Sequence, residues 1–301
     1  ELRFLDVSPS ETRQKYYEET FAKFEEETGI SVSYESVPWD DAANKITVLG
    51  ASGQLPDVMT VWSGWLGQYT SAGWVIPLDD YVGETRGEYT DAVNKLLWRS
   101  EEDRYGHIYT VPDGLMVKGV YYRTDWAEEA GLNLDPTKGW DYDDYFDAVA
   151  KLTNKDEKHY GASYRGARGA LDPLLVYLQS FTDGNTYDQE GNIQINSDEC
   201  LEAFKKWTDV YLNGYAPEDA INWGFTDNFT GGLTGTLIND SEVLPTCAQN
   251  MEEGTWGVMP MPKSTKDGKI YNTINAPYAY SISGNSENPD EAWKLIEFMT
   301  N

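Results

Sequence analysis

Three tryptophans stand beside predicted strand ends: Trp39 just after Ile30–Val37, and Trp62 and Trp65 just after Asp57–Val61. Asp40 follows Trp39 directly, and Tyr164-Arg165-Gly166-Ala167-Arg168 follows the strand-like Tyr160–Ser163. Flat rings beside groups that donate and accept hydrogen bonds suit a ligand with apolar C–H faces and a rim of hydroxyls. That is the chemistry of holding a sugar. Each hydroxyl removed from water must regain a partner, so polar residues have to accompany the rings. A guanidinium such as Arg165 or Arg168 can bridge two vicinal hydroxyls or hold an acidic sugar. Blander readings stand beside these: Trp65 opening a helix and facing a core, Trp39 covering a helix end, Arg168 in a surface ion pair.

Signatures of bond-breaking chemistry are missing. The sequence contains no GxSxG, HExxH, P-loop or GxGxxG pattern, so the common nucleophile, zinc and nucleotide motifs fail. Only two histidines exist, His107 and His159, in polar contexts without a second ligand at helical spacing, and neither a metal nor a cofactor is expected. Among 51 acidic residues, some carboxylate pair reaches glycosidase spacing by chance. The chain is therefore not expected to be an enzyme. A secreted glycoside hydrolase or lyase using paired carboxylates is the alternative.

Composition narrows the class further. Lys and Arg number 23 against those 51 acids, a formal net charge of −28. Such a surface repels phosphates and anionic lipid, which argues against nucleic-acid partners and membrane adsorption. No window approaches the roughly 18–20 apolar residues of a membrane helix. Two cysteines, Cys200 and Cys247, lack CxxC spacing and leave one bridge or two buried thiols equally open. A well-solvated, monomeric secreted protein fits this balance, and 301 residues leave room for two domains with their own cores.

The elements that must place the aromatic residues alternate in type. Leu2–Val7 reads as a strand, then Thr12–Thr28 as a helix with Tyr17, Phe21 and Phe24 on one face, N-capped by Ser10. Ile30–Val37 is the next strand, Asp40–Ser52 a helix, and Asp57–Val61 a third strand. This β-α-β-α-β order predicts a parallel sheet wrapped by helices, with ligands outside the carboxyl ends of its strands. Val117–Tyr122 and Tyr278–Ser283 read as further strands. Thr124–Gly131, Trp140–Leu152, Leu171–Phe181, Ser197–Asn213 and Pro289–Met299 read as helices, with the acids after Trp140 as caps. The chain is expected to leave one lobe near Val111-Pro112-Asp113 and to return in Gly257–Pro262. That gives lobe 1 as residues 1–111 plus 259–301 and lobe 2 as 112–258. Two crossings make a hinge plausible.

Several motifs, in order along the chain, carry a family resemblance: Phe24–Ile30, Gly53–Val58, Ala72–Tyr81, Tyr105–Pro112, Pro262-Lys263, and Ser281 through Phe298. Together they resemble the family 1 extracellular solute-binding proteins, receptor components of bacterial and archaeal ABC importers. The resemblance implies a maltodextrin-binding-protein-like α/β fold, two lobes joined by a hinge with the ligand between them. It implies capture of a carbohydrate, an oligosaccharide by preference, and delivery to permease subunits. A polyol, glycerol phosphate or peptide cargo is a variant on the same fold. The implied location is extracellular or periplasmic, with lipid anchoring at the outer membrane face compatible. The resemblance adds Glu11, Asn239, Asp240, Ser241 and Tyr278 as ligand contacts; by position in the chain Trp223, Asn275 before the returning strand and Asp113 at the lobe crossing complete the expected set. The relatives continue into a C-terminal helical segment that the sequence to Asn301 does not include, and Gly231–Leu237 lacks the usual Ala-Met pair.

Overall fold

A computed structural model describes residues 1–83, 85–91, 93–166, 170–219, 225–275 and 278–300. In chain order its regular elements begin β1 (Leu2–Asp6), α1 (Glu11–Thr28), β2 (Val32–Ser36), α2 (Trp39–Ala51), β3 (Val58–Trp62) and α3 (Leu66–Ser71). Then come α4 (Asp79–Val82), α5 (Arg99–Tyr105), β4 (Val111–Pro112), β5 (Met116–Arg123), α6 (Thr124–Glu129), α7 (Tyr142–Lys151) and β6 (Tyr160–Ala162). The order closes with α8 (Leu171–Gln179), α9 (Asp198–Leu212), α10 (Phe225–Thr230), β7 (Thr234–Asp240), α11 (Leu244–Asn250), β8 (Trp256–Pro260), β9 (Ile274–Asn275), β10 (Tyr278–Ile282) and α12 (Pro289–Thr300).

The chain divides into two compact units, Glu1–Leu115 with Asn275–Asn301, and Met116–Ile274. Unit 1 is built on a five-stranded sheet ordered β2-β1-β3-β10-β4. β1 pairs in parallel with β2 and β3, while β10 runs antiparallel to β3 and β4. Side chains alternate across a strand, so this sheet buries both of its faces. Leu2, Phe4 and Val58 pack with Tyr17, Phe21 and Phe24 of α1 and Trp293 of α12. Leu5, Met59 and Val61 pack on the other side with Ile46 of α2 and Tyr69 of α3. Local chemistry agrees with this plan: the Ser10 hydroxyl accepts the Arg13 N–H at 3.2 Å and opens α1.

Unit 2 has its own sheet, ordered β6-β7-β5-β8. β6 and β7 are parallel, and β5 is antiparallel to both β7 and β8. One face packs Val120 and Ile238 against Tyr145, Val149, Tyr177 and Trp207 of α7, α8 and α9. The other packs Tyr121 and Leu237 with Phe229, Val243 and Cys247. α7 begins with a reciprocal cap: the Asp144 N–H donates to Asp141 at 2.9 Å, and the Asp141 N–H donates to Asp144 at 3.1 Å. β6 lies so close to α7 that a Cβ on Gly161 would stand 1.8 Å from the Val149 carbonyl oxygen. Cys200 and Cys247 are separate buried thiols.

Three boundaries that bear on the site differ from expectation. Trp39 is the first residue of α2 rather than part of the turn before it, and Trp62 is the last residue of β3. The Gly257–Pro262 stretch does not lead back to unit 1, because β8 pairs with β5 from Gly119↔Pro260 to Arg123↔Trp256. The division falls after Ile274. Prolines at both 260 and 262 give any stretch an extended backbone, so they mark a strand without saying which sheet receives it.

Candidate functional site

In unit 1 the carboxyl ends of β1, β2 and β3 open on one edge of the sheet. Antiparallel pairing brings the start of β10 and the end of β4 to the same edge, with Tyr278 opposite Trp62 and Ala279 opposite Pro112. Chain topology thereby gathers five residues singled out by sequence: Trp39, Trp62, Trp65, Asp113 and Tyr278. Trp39 and Trp65 stack with ring centroids 4.7 Å apart and planes 19° from parallel. Trp62 meets both edge-on, at 5.6 and 5.8 Å, and the Tyr278 ring meets Trp39 edge-on at 5.7 Å. Trp62 keeps 37% of its surface exposed, an open indole on an otherwise braced cluster. A Cβ on Gly64 would lie 2.1 Å from the Trp62 ring, so the turn after β3 needs glycine for the indole to lie flat across it.

A charged network adjoins this aromatic shelf. Asp113 follows β4, and its N–H donates to the Tyr278 carbonyl at 3.3 Å. Its carboxylate accepts Nη1 of Arg13 at 2.9 Å with only 7% of the side chain exposed. The same guanidinium donates Nη2 to Asp6 at 3.1 Å and to the Tyr17 hydroxyl at 2.9 Å, and Nε to Asp6 at 3.3 Å. Asp6 is wholly buried and accepts the Tyr34 hydroxyl at 3.2 Å as well. Burial pushes the Asp113 carboxyl up to about 6, with Arg13 pulling against it. Burial would lower the Arg13 pKa, but Tyr17, Asp6 and Asp113 together hold it above its ordinary value. Behind β4, Glu101 accepts the backbone N–H groups of Tyr109 at 2.7 Å and Thr110 at 3.2 Å, and also the Thr110 hydroxyl. Burial raises its carboxyl to about 7 against those three bonds.

Unit 2 has a corresponding strand-end surface at the ends of β6 and β7 and the start of β5. Lys118, 2% exposed in its side chain, pairs with Asp240 at 2.9 Å and with Asp172 at 2.7 Å. The Asp240 carbonyl accepts the Tyr121 hydroxyl at 2.9 Å. Asn239 is buried and internally bonded, donating to Thr226 Oγ1 at 3.3 Å and accepting the Asp240 N–H at 2.9 Å. Tyr164 packs on Trp207 and Tyr211 at ring distances of 6.2 and 6.0 Å. With Phe146, Ser163 and Arg165 it lines a cavity of about 20 Å³, room for about one water. The Arg165 guanidinium lies 4.5 Å from the Phe225 ring centroid. Ser241 borders a larger recess of about 400 Å³ whose walls include Val117, Leu244, Val258 and Ile270. Lys118, Tyr121 and Asn272 line it as well.

The remaining expectations fall elsewhere. Glu11 sits exposed in the first turn of α1. Arg168 and Trp223 lie outside the described residues, as do the side chains of Asp40 and Asn275. Sequence reasoning missed Arg13, Asp6 and Lys118. A faint signal existed for Arg13, which shares a helical face with Tyr17 four residues on. No group of three or more metal-ligating side chains occurs among the described residues.

These observations define a two-unit α/β protein whose strand-end surface carries rings and paired polar groups. The family model described as bacterial extracellular solute-binding protein matches residues 8–301, and the chain belongs to that family. A putative binding protein of Brucella abortus (strain 2308) is 25% identical over 309 residues, covering 99% of this chain and 72% of that protein. Among solved structures, an ABC transporter solute-binding protein from Thermotoga lettingae, bound with alpha-D-tagatose, superposes with a TM-score of 0.84 at 21% identity. That match covers 100% of this chain and 76% of the other. The maltose-bound MalE3 of T. maritima gives a TM-score of 0.81 at 23% identity, covering 100% and 78%. Both likenesses confirm the solute-binding-protein fold expected from the sequence.

Proposed function

We propose that this protein captures a carbohydrate and delivers it to the permease subunits of an ABC importer, without chemically altering it. The two compact units would be the lobes of such a receptor, and the unit 1 shelf its main sugar-stacking surface. One observation carries the reading: three tryptophans and Tyr278 gathered beside the Asp113 carboxylate at the ends of parallel strands. Rings supply faces for C–H groups, and a carboxylate held at one oxygen by Arg13 suits a hydroxyl donor. Family membership supports the same reading, as do the tagatose and maltose in the two solved structures.

A hydrolytic reading has less support. Asp6 and Asp113, described beside the shelf, are both bound to one guanidinium, so they do not flank an open space as the acid and base of a glycosidase must. Among the described residues no helix is long and apolar enough to cross a membrane. Placement outside the cell membrane, free or lipid-anchored, and action as a monomer complete the proposal. A thermal-shift screen over mono-, di- and oligosaccharides and polyols tests it: one sugar class should raise the melting temperature and be recovered intact. Turnover of the bound sugar would refute the non-enzymatic reading, and no shift with any member of the panel would refute the cargo.

A further inference from the structure

The Tyr278 ring has two neighbours of opposite kind. On one side stands Trp39 at 5.7 Å, and on another the Arg13 guanidinium carbon lies 5.6 Å from the ring centroid. Tyr278 thus joins the tryptophan shelf to the charged network. Arg13 reaches from the first turn of α1 to Asp6 at the end of β1, to Asp113 after β4, and to Tyr278 at the start of β10.

We infer that Arg13 is the positioning residue of the sugar-binding edge: its guanidinium fixes the Asp113 carboxylate and the Tyr278 ring together, so that hydrogen bonding and stacking face the ligand as one unit. This rests on the carbohydrate reading above. Arg13 takes no part as an anion receptor, because two carboxylates already occupy it. The groups around Asp113 are Asp6 from β1, Arg13 and Tyr17 from α1, and Tyr280 from β10, with Tyr34 of β2 bonded to Asp6. Among these Arg13 is the one cation. Burial, and then Asp6, raise the Asp113 pKa, and Arg13, by its charge and its hydrogen bond, is the largest influence holding it down. Without that cation the carboxyl should titrate about 1–3 pH units higher.

Carbon-13 NMR titration of the Asp113 carboxyl, in the sugar-free full chain, tests this directly. For wild type the midpoint is expected near 6. Arg13→Met should raise it by about 1–3 pH units, and Arg13→Lys should return it most of the way. An unchanged midpoint in Arg13→Met would overturn the inference. Because the buried Asp6 loses its partner too, that variant is at risk of not folding. Wild type supplies the second measurement: the Arg13 guanidinium nitrogens should shift with the same midpoint as the Asp113 carboxyl, and a flat response would overturn the inference equally.

Maltose and alpha-D-tagatose serve as probes in the binding arm. Affinity should fall as pH drops through the Asp113 midpoint, and Arg13→Met should move that fall upward while weakening binding about tenfold at neutral pH. A shifted titration with unchanged affinity would strip Arg13 of its role toward ligand. If neither probe nor any other sugar binds wild type, the carbohydrate reading fails, while the sugar-free titration still decides whether Arg13 governs Asp113.

Discussion

Trp62 owes its availability to its neighbours. Trp39 and Trp65 stack beneath it, and Gly64 leaves the space its ring occupies. Trp62 is more than a third exposed, so Trp62→Ala should leave the chain folded and lower the melting temperature by no more than the loss of its two edge-on ring contacts implies. Sugar affinity should nevertheless fall at least about tenfold, roughly 1.4 kcal/mol. Gly64→Ala is a finer probe, since it leaves every ring chemically intact. The added methyl would displace the Trp62 indole, so binding should weaken comparably and tryptophan fluorescence should shift. Unchanged fluorescence and affinity in Gly64→Ala would show that the indole does not need this seat. That Trp39, Trp62 and Trp65 stand at strand ends was legible in sequence, because the apolar strand patterns stop just before them. Arg13 was not: in a chain with 51 acids a lone helical arginine reads as a surface ion pair. Its true partners are seven and one hundred residues away.

Among the elements, β4 depends on Glu101. This carboxyl holds the backbone at Tyr109 and Thr110, immediately before the strand that carries Asp113 to the shelf. Its folded pKa lies near 7 against an ordinary 4.5, raised chiefly by burial. Between those values the native chain binds more protons at this site than the unfolded chain, so stability falls as pH rises. The effect is bounded at roughly 3 kcal/mol across the window. Glu101→Gln removes the titration, so the wild-type melting temperature should drop relative to this variant from pH 4.5 to pH 7. Parallel curves for the two proteins would contradict that assignment. In unit 2, Gly161→Ala would force β6 away from α7 and should destabilise by about 1–3 kcal/mol, measurable by denaturant unfolding.

Elements were also where sequence reading succeeded most evenly. Local signals sufficed for α1, whose cap and apolar spacing are contiguous, and for the acidic start of α7. The return expected in Gly257–Pro262 fails because that stretch belongs to β8, whose partner, β5, begins 140 residues earlier at Met116. Pairing across such a distance leaves no local mark. Lys118 was hidden for a similar reason: one lysine in an alternating strand looks solvent-facing until Asp240, its cross-strand partner, is placed opposite.

For the whole molecule, a net charge of −28 and paired cations in both units favour an uncharged cargo. Arg13 and Lys118 each meet two carboxylates, so the cation of each strand-end surface is already neutralised. Neutral sugars and polyols should therefore outcompete their uronate or phosphorylated counterparts in a thermal-shift panel. A ligand at one hundred times its Kd stabilises by about 2.7 kcal/mol, or roughly 5–10 °C for a domain of this size. Stronger stabilisation by the anionic partners would contradict the charge argument.

The most direct measurement is calorimetric titration of wild type and Trp62→Ala with the sugar giving the largest shift, followed by chemical analysis of the recovered ligand. Saturable binding to wild type, at least tenfold weaker in the variant, with the sugar intact, is the predicted result. Equal affinities, or a ligand recovered in pieces, would contradict capture on this aromatic shelf.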